Sequence, residues 1–157
     1  MRNMKKIIIL LFLVSGLKAQ NKIKVNETVK WTTSYTDTKN ETGEILLKAN
    51  IEPEWHLYSQ EESVDGPVPT TIKFEEETEK FELIGKTTEP SVEKKFDEAF
   101  AMEISSFTGQ VIFRQNIQRK TKAAFTLRGT VEYMTCNNVQ CNPPRTISFE
   151  VKIPALP

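Results

Sequence analysis

The stretch Thr146-Ile147-Ser148-Phe149-Glu150-Val151-Lys152-Ile153 decides the fold class. Apolar and polar residues alternate through it without a break, so Ile147, Phe149, Val151 and Ile153 share one face of an extended chain. Successive side chains of a strand point to opposite faces, and a period of two therefore marks a half-buried β-strand. The same alternation recurs at residues 23–31, 44–51, 70–74, 81–84, 110–117 and 123–133. Turn formers at Gly43, Asp65-Gly66-Pro67, Glu89-Pro90 and Thr108-Gly109 separate these pieces. Helical spacing is scarce, and residues 92–102 read as an irregular loop entering a strand. Many short strands with no helices between them predict an all-β, immunoglobulin-like antiparallel sandwich.

The whole chain fits that prediction. With 157 residues, 38% hydrophobic and 27% charged, it has the size and balance of one globular domain, which excludes a fibre or a disordered tail. The N-terminus has a different character. Arg2, Lys5 and Lys6 precede an apolar run over residues 7–14, and Leu17-Lys18-Ala19 follows before Gln20. That order is a secretory signal with a cut expected after Ala19, leaving residues 20–157 as a single domain. The run is too short to cross about 30 Å of hydrocarbon, and no later segment is apolar for long enough, so the product is expected to be exported, soluble and not membrane-spanning. The periplasm is the first expectation for its location and secretion the second.

The formal balance of 21 basic and 21 acidic residues hides an asymmetry, since Arg2, Lys5, Lys6 and Lys18 belong to the leader. Without those four, 17 basic residues face 21 acidic ones. A mildly acidic domain with no basic block repels phosphate backbones, which argues against nucleic acid as a partner.

Export gives the two cysteines their meaning, because an oxidising compartment lets a disulfide persist. Their only possible pairing within the chain is Cys136 with Cys141. They lie in Tyr133-Met134-Thr135-Cys136-Asn137-Asn138-Val139-Gln140-Cys141-Asn142-Pro143-Pro144, between two predicted strands, and so fall at facing ends of a hairpin. Directly opposed residues on antiparallel strands have Cα atoms about 4.5 to 5.5 Å apart, close enough to bond. A ring of about six residues stabilises by only about 2 kcal/mol on the loop-entropy formula, a weak staple for a domain of this size. A short ring among Asn and Gln residues is also open to another protein's thiolate, which is what exchange needs. Spacing alone leaves a structural bond and a redox pair both open. Metal binding is the weakest reading, because the only histidine, His56, is remote in sequence, and neither a metal nor an organic cofactor is expected. Of the two sulfurs, Cys136 is read as the better exposed and hence the attacking one.

Two further segments join this loop in a resemblance to a known family. Glu54-Trp55-His56-Leu57-Tyr58-Ser59-Gln60, followed by Asp65-Gly66-Pro67-Val68-Pro69-Thr70, is the first. Residues 100–116, marked by Phe107, Gly109, Val111 and Phe113, are the second, and the Cys-x-Pro-Pro that ends the cysteine loop is the third. Together they resemble the N-terminal periplasmic domain of the thiol:disulfide interchange protein DsbD. The resemblance implies an immunoglobulin-like fold whose cysteine pair cycles between dithiol and disulfide, here Cys136 and Cys141. It implies electrons taken from a thioredoxin-like donor and passed to oxidised thioredoxin-fold clients, including disulfide isomerases and cytochrome c maturation factors. That would make the chain a component of a protein-disulfide reductase. It further implies a cap loop shielding the disulfide with an aromatic residue, expected within residues 89–100, with Phe96 the first candidate and Phe100 the second. The chain departs from the family in having Asn142 where an aromatic residue is frequent. No membrane bundle or thioredoxin-like domain follows within the chain, so the donor is expected to act in trans. The rival reading is a non-catalytic binding module with a structural disulfide.

The remaining motifs have plainer expectations. Trp55 is expected in the core, His56 as a hydrogen-bonded or exposed residue, Glu75-Glu76-Glu77 as a solvated turn, and residues 65–69 as a rigid turn.

Overall fold

The computed structural model describes residues 27–61 and 63–157. The expected signal, the cut after Ala19 and the first part of the strand expected at 23–31 lie outside those residues. The described chain is built from strands alone, and every pairing is antiparallel.

The first sheet contains β1 (Val29–Asp37), β2 (Thr42–Ile51), β8 (Gln110–Arg119) and β5 (Phe81–Thr88), in the order β1-β2-β8-β5. The second has the order β11-β9-β4, from β4 (Thr71–Phe74), β9 (Phe125–Tyr133) and β11 (Arg145–Ile153). Alternation does the work the sequence promised. Ile45, Leu47 and Ala49 on β2 and Phe113 and Ile117 on β8 turn inward, against Leu127 and Val131 on β9 and Val151 and Ile153 on β11. These residues form one buried cluster, and burying each large aliphatic or aromatic side chain stabilises by about 1.5–3 kcal/mol. Trp31 and Trp55 pack on its margin, so Trp55, expected in the core, lies partly buried against it, just before β3.

Gly129 shows how tightly the second sheet is fitted. On β9 it stands opposite both Phe149 and Phe74, and a Cβ there would lie 2.4 Å from the Lys73 carbonyl oxygen and 2.4 Å from the Phe149 ring. The bare position lets the two rings meet edge to face at 5.6 Å.

A third sheet positions the site. Its order is β10-β3-β7-β6, from β3 (His56–Tyr58), β6 (Lys94–Asp97), β7 (Met102–Phe107) and β10 (Thr135–Cys136). Tyr58, Ile104 and Cys136 form a small buried cluster on it, apart from the main core, with Phe100, Met102, Met134 and Cys141 packed around them. The loop expected over residues 92–102 is corrected here: β6 pairs with β7 from Lys94 opposite Ser105 to Asp97 opposite Met102. Lys94, Lys95 and Phe96 are all exposed, so no buried face imposes an alternation that could betray the strand. The first strand also differs, since its described part continues through Thr32-Thr33-Ser34-Tyr35 to Asp37.

Candidate functional site

The cysteines sit in a miniature hairpin after β9. The Asn142 amide donates to the Thr135 carbonyl at 2.8 Å, and the Asn137 amide donates to the Gln140 carbonyl at 2.9 Å. Cys136 and Cys141 lie between these bonds as a non-hydrogen-bonded antiparallel pair, the kind in which side chains approach most closely. Their Cα atoms are 4.0 Å apart and their sulfurs are joined. Asn137 shapes the turn, its Oδ1 accepting from the Val139 and Gln140 amides at 2.9 and 2.8 Å. Val139 is left at the tip, 90% exposed. At the base, Asn142 Nδ2 donates to the Thr135 hydroxyl at 3.1 Å, and that hydroxyl is 2.8 Å from the hydroxyl of Thr28. Asn142 is thus a polar tie between the ring and the segment leading into β1.

The two sulfurs have unequal surroundings. Cys136 is wholly buried in the Tyr58 and Ile104 cluster, whereas Cys141 is partly exposed. This corrects the expectation that Cys136 is the better exposed. The cause is non-local: Cys136 is on β10 and is covered by its pairing with β3, while Cys141 is on the free arm of the hairpin.

The β6–β7 hairpin faces this ring. Phe96, Asp97, Glu98 and Ala99 on one side and Asn137, Asn138, Val139, Gln140 and Cys141 on the other line an open groove of about 570 Å³. The two aromatic candidates take different places. Phe100 turns inward and meets Tyr58 edge to face at 5.9 Å, whereas Phe96 is 65% exposed on the rim of the groove.

Asp97 ties the hairpin down. Its Oδ1 accepts from the Ala99 and Phe100 amides at 2.9 and 3.3 Å, fixing the turn that leads to Ala101, whose φ is +52°. Its Oδ2 accepts from the Tyr58 hydroxyl at 2.8 Å and lies 3.2 Å from His56 Nε2, which is 3.1 Å from the Tyr58 oxygen. Burial, and then the bond to Asp97, push the Tyr58 hydroxyl's pKa far up, so it remains a donor throughout the neutral range. Sequence reading missed this group, although it took His56 as a hydrogen-bonded or exposed residue. His56 and Tyr58 share β3, whereas Asp97 comes from β6, 41 and 39 residues further along the chain, and β3 also sets His56 directly opposite Cys136.

A second tie lies at the other end of β6. Lys94 Nζ is 2.5 Å from Glu61 Oε1, and Ser105 donates to Glu61 Oε2 at 3.0 Å. The Lys94 bond, then the Ser105 bond, hold the Glu61 carboxyl below its ordinary pKa. Nearby, Glu89 accepts from the Gln60 amide at 2.9 Å, and burial raises its pKa. Among the described residues no group of three or more His, Cys, Asp and Glu is placed to hold a metal ion, and no helix is long and apolar enough to cross a membrane.

The sequence matches the family described as "Thiol:disulfide interchange protein DsbD, N-terminal" over residues 20–153. No curated protein matches it. Among solved structures it is similar to the DsbD N-terminal domain of Neisseria meningitidis in the reduced form, with a TM-score of 0.53 and 13% identity over 80% of this chain and 86% of that one. It is also similar to a chain of the complex between the DsbD N-terminal and PilB N-terminal domains of the same organism. There the TM-score is 0.54 with 13% identity, covering 84% of this chain and 88% of that one. At such identity these likenesses establish the shared fold.

Proposed function

The chain belongs to the family of DsbD N-terminal domains, and from that premise we propose that it is an exported thiol-disulfide exchange domain. Its Cys136–Cys141 pair passes reducing equivalents to oxidised thioredoxin-fold proteins. The observation that carries this reading is the asymmetry of the pair: Cys141 is partly exposed and lines a groove, whereas Cys136 is wholly buried.

A thiolate of the reduced donor attacks Cys141, the S–S bond breaks, and Cys136 leaves as a thiolate that takes up a proton. The donor's second thiolate then attacks its own mixed-disulfide sulfur and releases Cys141. In the forward half, the Cys141 thiolate attacks the client disulfide, and Cys136 attacks Cys141 to free the reduced client. Electrons and protons balance in each half without a cofactor. Phe100 shields the ring from within, while exposed Phe96 and Val139 form an apolar rim for the partner. The solved complex of a related domain with the PilB N-terminal domain supports a protein partner. The donor is a thioredoxin-like protein or domain, and the compartment is the periplasm. The family match from residue 20 supports a domain that starts after the leader.

The rival reading is a binding module with a structural clip, and the complete burial of Cys136 favours it. Single-cysteine variants separate the two. Cys136→Ala, which keeps the accessible sulfur, should accumulate mixed disulfides with thioredoxin-fold proteins, and Cys141→Ala should give few. No adducts from either variant would leave only the clip.

A further inference from the structure

Exchange places an unusual demand on Cys136. Its sulfur must become a thiolate each time it leaves or attacks, yet burial disfavours the charged form. Something beside it has to give and take the proton. The register of β10 on β3 puts His56 directly opposite Cys136, and directly opposed residues of antiparallel strands share a face with Cβ atoms about 4.5–5.5 Å apart. Tyr58, two residues along the same strand and on the same face, packs in the cluster that holds Cys136, and its ring meets the His56 ring edge to face at 5.1 Å. The His56 side chain is 20% exposed, so it touches both water and the buried cluster.

We infer that His56 carries the proton between solvent and the Cys136 sulfur, with Asp97 and Tyr58 as the positioning residues that orient its ring. The assignment rests on the exchange reading above and adds to it a residue that neither cysteine chemistry nor groove shape requires. Asp97 is acceptor-only when ionised, and the Tyr58 hydroxyl spends its proton on Asp97, so the His56 Nε2–H is shared between the Tyr58 oxygen and Asp97 Oδ2. That fixes the tautomer and leaves the lone pair on Nδ1. The carboxylate then stabilises the imidazolium that forms when Nδ1 takes the Cys136 proton. When Cys136 leaves as a thiolate, the same proton returns to it. The titratable groups on the face that His56 shares are Tyr58 on its own strand, Asp97 and the exposed Lys95 from β6, and Cys136 from β10. The face of β7 there carries Met102 and Ile104, which do not titrate.

The test uses the reduced chain and 5,5′-dithiobis(2-nitrobenzoate), with no partner protein. Cys141 attacks the reagent and releases a first thionitrobenzoate; Cys136 then attacks the mixed disulfide on Cys141 and releases a second. In His56→Gln, whose amide can still donate to Asp97, the second release should slow by about tenfold or more at pH 7 while the first stays within about twofold. The wild-type rate of the second release should follow imidazole deprotonation, and the variant's should follow that of a thiol. Added imidazole should restore the second release in His56→Ala. The inference is overturned by a second release that keeps its rate and pH profile in His56→Gln, or by equal slowing of both releases, which would mean that His56 only holds the hairpin. Two sequential releases in either variant show that the cysteine pair still exchanges, so failure of the proton-carrier role is distinguishable from failure of exchange.

Discussion

Reducing the disulfide should weaken the protein modestly and leave it folded. The cysteines are five residues apart in sequence, so the bond closes a ring of about six residues and constrains the unfolded chain by about 2 kcal/mol. The main core, from Ile45 and Phe113 across to Val131 and Val151, holds neither cysteine, and the freed Cys136 thiol can stay in its apolar cluster as a small hydrophobe. Urea unfolding with and without dithiothreitol, followed by tryptophan fluorescence, measures the difference. The midpoint should fall by the equivalent of about 2 kcal/mol at an unchanged slope, because the surface exposed on unfolding is the same. A loss above about 4 kcal/mol, or unfolding that ceases to be cooperative, would refute the reasoning. It would make the ring a staple of the fold, and a pair that must open in every cycle could not then be its function.

Other residues should respond according to their place. Phe96→Ala should change stability by less than about 0.5 kcal/mol, since the side chain is largely in water, yet slow mixed-disulfide formation with a protein partner. Phe113→Ala, wholly buried, should cost about 3–5 kcal/mol in the same urea assay. Gly129→Ala should cost about 1–3 kcal/mol, because its Cβ meets a backbone oxygen that cannot swing away. Glu89 has a folded pKa raised by burial, so its contribution is present below the unfolded value near 4.5 and is lost as pH rises through the folded one. Stability measured against pH should therefore show Glu89→Gln gaining on the wild type from mildly acidic to neutral pH, with the gain vanishing under acid.

The sandwich was legible because burial writes itself into sequence with period two. β2, β8, β9 and β11 each bury one face and were found within a few residues of their bounds. β6 was not, because a strand whose Lys94, Lys95 and Phe96 all face water leaves no periodic trace. β3 and β10 are only three and two residues long. The cysteine ring was legible from local spacing and from the motifs around it. Its asymmetry was not: the burial of Cys136 and its opposition to His56 depend on which strand β10 chooses, a pairing across about 80 residues that no local pattern encodes. Separations of 39 and 41 residues likewise hid the bonds of Asp97 to Tyr58 and His56.

The most direct measurement of the central claim is the reduction potential of the Cys136–Cys141 pair, taken by equilibration with glutathione or dithiothreitol buffers. A pair that exchanges with thioredoxin-fold proteins should fall within the span of those partners, about −120 to −270 mV. A value below about −300 mV, where structural disulfides lie, would contradict the account.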